Sequence, residues 1–429
     1  MEREIVLQNR HWDKIPYPTL FHRKAEQNII KKLSMKEIEI ITGVRRSGKS
    51  SVLKLLINHL SEKINPKSIV YVNFEDPVFI PCYDNPKGIR EVLDIAEKVT
   101  SVKPKYLLLD EIQNIKNWGK SIKSLYDKEL YDKILVTGSN SYLLEKEYAS
   151  LLAGRYLRTR IYPLSFKEIL NIKNILNIQE IISNQPLVQS IVDNMLEFGS
   201  FAEVFKQKQN DLKISLIKEY FNSIVIRDGI LHHNINAIDE FEKLAYYLIN
   251  NPGNEYSYNS LSKNIGVDDK TLKKFIEALK NTMIISEIEN FSFSLKTQFK
   301  SKKKVYAVDT GFYSQIAYRN SPDKGNLLEN LVFTELLKNE FDIFYYKDSN
   351  SGNECDFVAR KDNKYFAFQV CYELIPSNQD REIKGFSILQ KSFPQLKLQK
   401  KIIITYNQKK AINSEIEAIP FGQFDFETI

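Results

Sequence analysis

Near the amino end of the chain, Gly43-Val44-Arg45-Arg46-Ser47-Gly48-Lys49-Ser50 sets two glycines, a lysine and a hydroxyl at the spacing G-x-x-x-x-G-K-S. The glycines let the backbone turn tightly, so that successive amide N–H groups up to Ser51 converge on phosphate oxygens. Lys49 has the length to reach β- and γ-phosphates, and the Ser50 hydroxyl can ligate Mg²⁺. A helix opening near Ser50 adds the positive end of its dipole. Two acids, Asp110 and Glu111, end the apolar run Leu107-Leu108-Leu109. Ligands of open α/β sheets bind at the carboxyl ends of the strands. There Asp110 can hold Mg²⁺ through water and Glu111 can polarise an attacking water. Thr137-Gly138-Ser139-Asn140 ends a further apolar run, and Ser139 or Asn140 can sense a γ-phosphate by hydrogen bond. Asn73, at the end of another strand, is expected beside Glu111 as its restraint. The chemistry implied is phosphoryl transfer from a nucleoside triphosphate.

Five strands must carry these residues: the segments EIEIITG, SIVYVNFED, KYLLLDE, KILVTGS and LRTRIYPL. Amphipathic stretches alternate with them. SSVLKLLINHL places Val52, Leu53, Leu56, Ile57 and Leu60 at helical spacing. Strands alternating with helices predict βαβ units and a parallel sheet buried on both faces. From Ser165 to Asn250 the period is helical. After Asn251-Pro252-Gly253 the pattern reads helix, turn at Gly266, helix, strand, then a basic run of Lys300, Lys302, Lys303 and Lys304. That is the grammar of a helix-turn-helix with a wing. Beyond Ser321-Pro322 the order is αβββαβ. The expected parts are residues 1–164, a P-loop core; 165–250, a helical lid; 251–320, a winged-helix module; and 321–429, an α/β domain.

Composition narrows the class. The chain has 429 residues, 43% hydrophobic and 27% charged, which argues against global disorder. A net charge of +7 permits contact with nucleic acid without demanding it. Three scattered cysteines, Cys82, Cys355 and Cys371, make neither a disulfide framework nor a zinc site. The charged start and the absence of an apolar run of membrane length predict a cytoplasmic protein with no membrane partner.

Residues 1 to about 230 resemble the AAA-type P-loop ATPases of the additional-strand catalytic-glutamate division. The pairing of LLLDEIQNIKNW with TGSNSYLL, extended by LAGRYLRTRIYPLSFKEIL and GSFAEV, resembles a poorly characterised bacterial and archaeal ATPase family with a C-terminal nuclease-like domain. The resemblance implies ATP with Mg²⁺, and a sheet order of 5-1-4-3-2. The residues themselves offer no base-specific pocket. In AAA proteins an arginine placed like Arg155 or Arg158 often acts on a neighbouring subunit's nucleotide, because a guanidinium stabilises charge on the transferring phosphoryl. This implies a homo-oligomer.

The αβββαβ segment, with Glu329, Asp356 and Gln369-Val370-Cys371, resembles the PD-(D/E)xK nuclease-like fold. Such nucleases need paired carboxylates for the metal and a lysine. Here Gln369 stands for an acid and Cys371 for the lysine, so a scaffold without cleavage is expected. Lys347 is a candidate displaced lysine, and Glu354 and Glu373 are expected in solvent. Lys270, Lys273 and Lys274 on the second helix, with the lysines at 300–304, suit a phosphate backbone. Two roles follow for an ATPase of this plan: one associated with DNA, the other a signalling or assembly switch that binds protein.

Overall fold

The computed structural model describes residues 1–18, 21–138, 151–316 and 323–429. They form two compact units, Met1–Pro163 with Asn281–Met283, and Leu164–Lys280 with Ile284–Ile429.

The first unit is built on strands β1 (Ile38–Gly43), β2 (Ile69–Asn73), β3 (Tyr106–Asp110), β4 (Lys133–Gly138) and β5 (Tyr156–Ile161), in the order β2-β3-β4-β1-β5. Every pairing is parallel. This is the 5-1-4-3-2 order that the resemblance implied. Residues alternate between two buried faces. Ile41, Tyr71, Leu108 and Leu135 pack with Val52, Leu53, Leu56 and Ile57 of the helix Lys49–Ser61. Ile40, Val72, Leu109 and Val136 pack on the opposite face with Val92 and Leu93 of the helix Gly88–Thr100 and Ile122 of the helix Trp118–Asp127. All strands point the same way, so the ends of β1, β3 and β4 meet at one edge with the residues singled out above.

β2 is an outer strand, and its free edge is closed by side chains instead of a sixth strand. Asn9 imitates a strand residue. Its Nδ2 donates to the Tyr71 carbonyl (2.7 Å) and its Oδ1 accepts from the Tyr71 amide (2.7 Å). Gln8 Oε1 accepts from the Asn73 amide (2.8 Å), and Trp12 Nε1 donates to the Ile69 carbonyl (2.7 Å). His11 Nε2 reaches the same carbonyl at 3.0 Å, which requires a proton on Nε2.

The second unit opens with helices, among them Phe166–Ile172, Gln185–Phe198 and Asn210–Ser223. The last continues into a π-helical stretch, Ile224–Leu231, which periodicity did not anticipate. The helix Ile238–Ile249 is followed by β6 (Glu255–Tyr256), the helices Tyr258–Ile265 and Asp269–Asn281, β7 (Ile285–Glu289) and β8 (Lys303–Ala307). These strands form a sheet in the order β6-β8-β7.

The helix Lys324–Lys338 leads into β9 (Asp342–Lys347), β10 (Glu354–Lys361) and β11 (Lys364–Cys371). The helix Pro376–Ser392 and β12 (Leu398–Thr405) complete the expected αβββαβ run. Two strands beyond it, β13 (Lys410–Ala411) and β14 (Ile416–Pro420), extend a mixed sheet of order β13-β14-β12-β11-β10-β9. Asn330 locks the helix Lys324–Lys338 to β8. Its side-chain amide exchanges two hydrogen bonds with the Ala307 backbone (2.9 and 3.0 Å).

Burial lowers the His11 pKa from 6.5 to about 4, against the opposing hydrogen bond to Ile69. The folded state therefore holds His11 neutral while the unfolded chain takes up a proton. As pH falls from 6.5 to 4, this residue alone should remove about 3 kcal/mol of stability. Denaturant unfolding of the wild type and of His11→Gln across that range checks it. The stability advantage of the wild type should shrink as the pH falls.

Candidate nucleotide site and carboxylate cluster

The loop Val44–Gly48 runs between β1 and the helix that opens at Lys49. Its two glycines are required for different reasons. At Gly43 the limit is space: a Cβ would lie 2.2 Å from the Ile161 carbonyl oxygen of β5 and 2.8 Å from Ser47 Oγ. At Gly48 it is conformation, with φ at +99°. Arg46 also takes a positive φ of 69°. Lys49 is buried, and its ammonium spans the start of the loop, donating to the carbonyls of Gly43 (3.0 Å) and Val44 (3.2 Å). Val44 is buried, Arg45 pairs with Glu75 at 3.6 Å, and Ser50 and Ser51 are half-buried at the helix start. Arg23 braces the loop from outside the motif. Its Nη1 donates to the Ser47 carbonyl (3.0 Å) and its Nη2 to that of Tyr162 (2.7 Å). Nothing local marks Arg23 in the sequence, since both contacts are long-range.

The acids at the end of β3 are buried, Asp110 completely, and separately held. Asp110 accepts from the Tyr71 hydroxyl (2.9 Å) and from the Thr137 hydroxyl. Thr137 Oγ1 in turn accepts from the Glu111 amide (3.0 Å). Glu111 sits in the left-handed region at φ 53° and accepts from Gln113 Nε2. Burial pushes its carboxyl above the usual range; Lys49 pulls it down and Asp110 pushes it up. A carboxylate raised in this way is closer in basicity to a general base working at neutral pH. The expected Asn73–Glu111 contact is absent. Asn73 Oδ1 instead accepts from the Glu75 amide (3.0 Å), closing its own turn, and Gln113 takes the place beside Glu111. Ser139 and Asn140 lie outside the described residues. The loop that requires Gly43 and Gly48, the buried lysine and the paired acids together fit a metal-bound triphosphate.

Residues 35–170 match the model of an AAA domain; residues 189–323 and 324–424 match two domains of unknown function, DUF8612 and DUF4143. The chain is 34% identical over 413 residues to the uncharacterized protein MJ1544 of Methanocaldococcus jannaschii, covering 92% of this chain and 89% of that one. It is 31% identical over 352 residues to an uncharacterized protein of Haemophilus influenzae, covering 80% and 84%. The chain belongs to the family of these archaeal and bacterial proteins. Among solved structures, Cdc6p from Pyrobaculum aerophilum is similar at 14% identity and a TM-score of 0.28, over 76% of this chain and 98% of that one. Among the described residues no helix is long and apolar enough to cross a membrane.

Within the AAA domain Arg155 stands at the far end of the sheet from the loop. Tyr156 pairs with Ile38 where β1 begins, and Ile161 pairs with Gly43 where it ends. That span is about 16 Å at ~3.3 Å per residue. Arg155 Nε lies 3.4 Å from Asp127 Oδ1. Arg158 Nε donates to Thr42 Oγ1 (3.4 Å).

In the second unit the basic run divides: Lys300 and Lys302 are exposed, and Lys303 and Lys304 are not. Lys303 is buried and pairs with Glu289, and Lys304 is buried and pairs with Glu354 and, at 3.5 Å, with Glu329. Lys302 lies 3.9 Å from Glu255. The expectation that Lys303 and Lys304 meet phosphate is therefore corrected: each lies at the end of a short β-ladder that turns it inward onto acids. Lys270, Lys273 and Lys274 are exposed as expected. Glu354, expected in solvent, instead bridges Lys304 and Lys347, the latter at 3.3 Å. Lys347 also pairs with Glu255 (3.2 Å).

Gln369 is not turned toward a metal. Its Oε1 accepts from the Asp356 amide (2.7 Å), and its Nε2 donates to the carbonyls of Glu354 (3.1 Å) and Glu382 (3.3 Å). The Cys371 thiol donates to the Glu373 carbonyl (3.0 Å), and burial pushes its pKa up to about 11.

Thr137 is the residue on which both acids of the AAA domain depend, and sequence alone did not single out its hydroxyl. Thr137→Val keeps the shape but leaves an Asp110 oxygen and the Glu111 amide without that partner. It should cost about 1–3 kcal/mol in denaturant unfolding, whereas Thr137→Ser should retain most of the stability.

Proposed function

We propose that this protein is a Mg²⁺-dependent AAA-type ATPase that couples hydrolysis to a conformational change and works on DNA. The observation that carries the ATPase reading is the joint placement of a Cβ-excluding phosphate loop, a buried Lys49 and the Asp110–Glu111 pair at one sheet edge. Bound Mg²⁺-ATP supplies the phosphoryl group and the charge of the metal. Loop amides from Val44 to Ser51 and the Lys49 ammonium bind the phosphates. Ser50 and Asp110 hold the metal side. Glu111 takes up the proton of the attacking water, and Asn140, outside the described residues, is assigned to sense the γ-phosphate. Gln113 keeps Glu111 turned aside until the phosphates are in place. Arg155, remote from its own loop, serves a neighbouring copy in a homo-oligomer.

The β6-β8-β7 order, with the helices Tyr258–Ile265 and Asp269–Asn281, supports a winged-helix module. With Lys303 and Lys304 turned inward, the phosphate-facing charge rests on Lys270, Lys273 and Lys274, together with the exposed Lys300 and Lys302. The αβββαβ run supports a nuclease-like scaffold, and the engagement of Gln369 and Lys304 argues against cleavage. The second reading, a protein-binding switch, is favoured by Phe293, Leu295 and Phe299. They are exposed by 51%, 65% and 68% in the segment between β7 and β8.

ATP with Mg²⁺ should raise the melting temperature of the wild type and not that of Lys49→Ala. Glu111→Gln should retain bound ATP and lose turnover. An unmoved wild-type melting curve would refute the reading. Arg155→Ala should lower turnover by about 10³-fold with little change in ATP affinity, as read by steady-state hydrolysis beside equilibrium binding. Duplex or single-stranded DNA should stimulate hydrolysis, and Lys270→Glu with Lys273→Glu and Lys274→Glu should abolish the stimulation. Hydrolysis indifferent to DNA selects the protein switch.

A further inference from the structure

A cavity of about 380 Å³ opens in the first unit between two helices, Gly88–Thr100 and Trp118–Asp127. That is room for a small organic molecule, since ligand sites start at roughly 300 Å³. The two helices follow β2 and β3 and pack on the sheet face opposite the helix Lys49–Ser61. The lining shares no residue with the phosphate loop or with the acids of β3.

Charge sets this cavity apart. Lys87, Arg90 and Lys120 stand in its wall, all of them exposed, and no acid does. Elsewhere in the same unit surface lysines meet acids: Lys36 pairs with Glu129, Lys105 lies 3.9 Å from Asp132, and Lys116 lies 3.6 Å from Asp84. Among the described residues Lys87, Arg90 and Lys120 form no ion pair. Cations gathered around one space without counter-charge repel each other, and an anion entering that space reverses the cost.

Neutral donors join the cations. Asn117, Ser121 and Ser124 line the same space, and among the described residues their side chains make no hydrogen bond. Lys87 and Asn117 are also the cap residues of the two helices, and neither side chain turns back to cap its helix. Ile89 and Leu125, both buried, give the cavity an apolar floor. Lysine, arginine, serine and asparagine are the side chains that contact the phosphate and sugar of nucleic acids. The apolar floor adds a surface for a carbon frame, which a bare inorganic ion would leave uncovered.

We propose that this cavity is a second anion site, one that takes a sugar-phosphate unit, as a free nucleotide or as part of a nucleic-acid strand. The phosphate rests among Lys87, Arg90 and Lys120. Asn117, Ser121 and Ser124 bond the sugar and phosphate oxygens, and the carbon frame lies on Ile89 and Leu125. The site is independent of the phosphate loop, so its failure leaves the ATPase reading intact; only the strand form rests on the DNA reading given above.

The test titrates the full chain, without Mg²⁺, with thymidine monophosphate and with a 5′-phosphorylated thymidine trinucleotide, read by calorimetry. The wild type should bind them; tighter binding of the trinucleotide identifies a strand as the ligand, and no such gain identifies a free nucleotide. Lys87→Glu with Lys120→Glu, both at exposed positions, should weaken binding by about 10-fold or more. Ser121→Leu with Ser124→Leu fills the cavity, keeps every charge, and should weaken it as much. Lys270→Glu with Lys273→Glu and Lys274→Glu should leave it unchanged. Whatever melting shift Mg²⁺-ATP gives the wild type should persist in the variants of the cavity, which separates this site from the phosphate loop. A wild type that binds neither probe overturns the proposal, as does inorganic phosphate bound as tightly as the monophosphate. So does a charge-reversed or filled variant, folded by circular dichroism and a cooperative melt, that binds as the wild type does; for the filled variant that result reduces the site to surface charge.

Discussion

A single hydroxyl separates the two acids of the candidate nucleotide site. Thr137 Oγ1 donates to Asp110 and accepts from the amide of Glu111, so one atom fixes the carboxylate of the first and the backbone of the second. Because β4 lies beside β3 in register, the link costs no loop reorganisation; Leu109 pairs with Val136, one residue short of both partners. With Tyr71 on its other oxygen, Asp110 is held on both sides. Glu111, one residue on, has a left-handed backbone, and its carboxylate accepts from Gln113. The acid proposed for the metal is thus held at both oxygens, and the acid proposed for water accepts from one side-chain amide. Neighbouring residues of the same charge acquire different tasks through their partners.

The phosphate loop shows the complementary principle, in which function is set by what is missing. Gly43 has no Cβ because β5 and Ser47 fill its space, and Gly48 has none because of its backbone angle. Arg23 then ties the loop to the carbonyls of Ser47 and Tyr162 on two sides. A loop held this way keeps its amides in one arrangement, which is what an anion-binding site made of backbone requires.

What could be read from the chain alone divides by the range of the forces. The five parallel strands and their helices follow from alternation and helical period, and the phosphate loop from the spacing of Gly43, Gly48, Lys49 and Ser50; both signals are confined to a few adjacent residues. Thr137, Gln113 and Arg23 were not legible as site residues, because each matters through a partner from another part of the chain. Asn73 misled for the same reason: its position at the end of β2 was right, but its side chain satisfies the turn that follows it. Lys303 and Lys304 read as phosphate contacts, since nothing in their spacing shows that acids from β7, β10 and the helix Lys324–Lys338 lie opposite. The π-helical stretch Ile224–Leu231 has the composition of an ordinary helix, and only its packing, with Gly229 against the Phe241 ring, sets it apart.

The side-chain seal on β2 bears on how copies of this chain can associate. Asn9, Gln8, His11 and Trp12 bond the Ile69 carbonyl, both main-chain groups of Tyr71 and the Asn73 amide. Strand addition at that flank is closed, so a ring or stack of subunits has to be built from side-chain surfaces there. The seal is also part of the core: a version begun after Trp12 would bare that ladder and at the same time take Ile5 and Trp12 out of the cluster that packs Ile40, Val72, Leu109 and Val136.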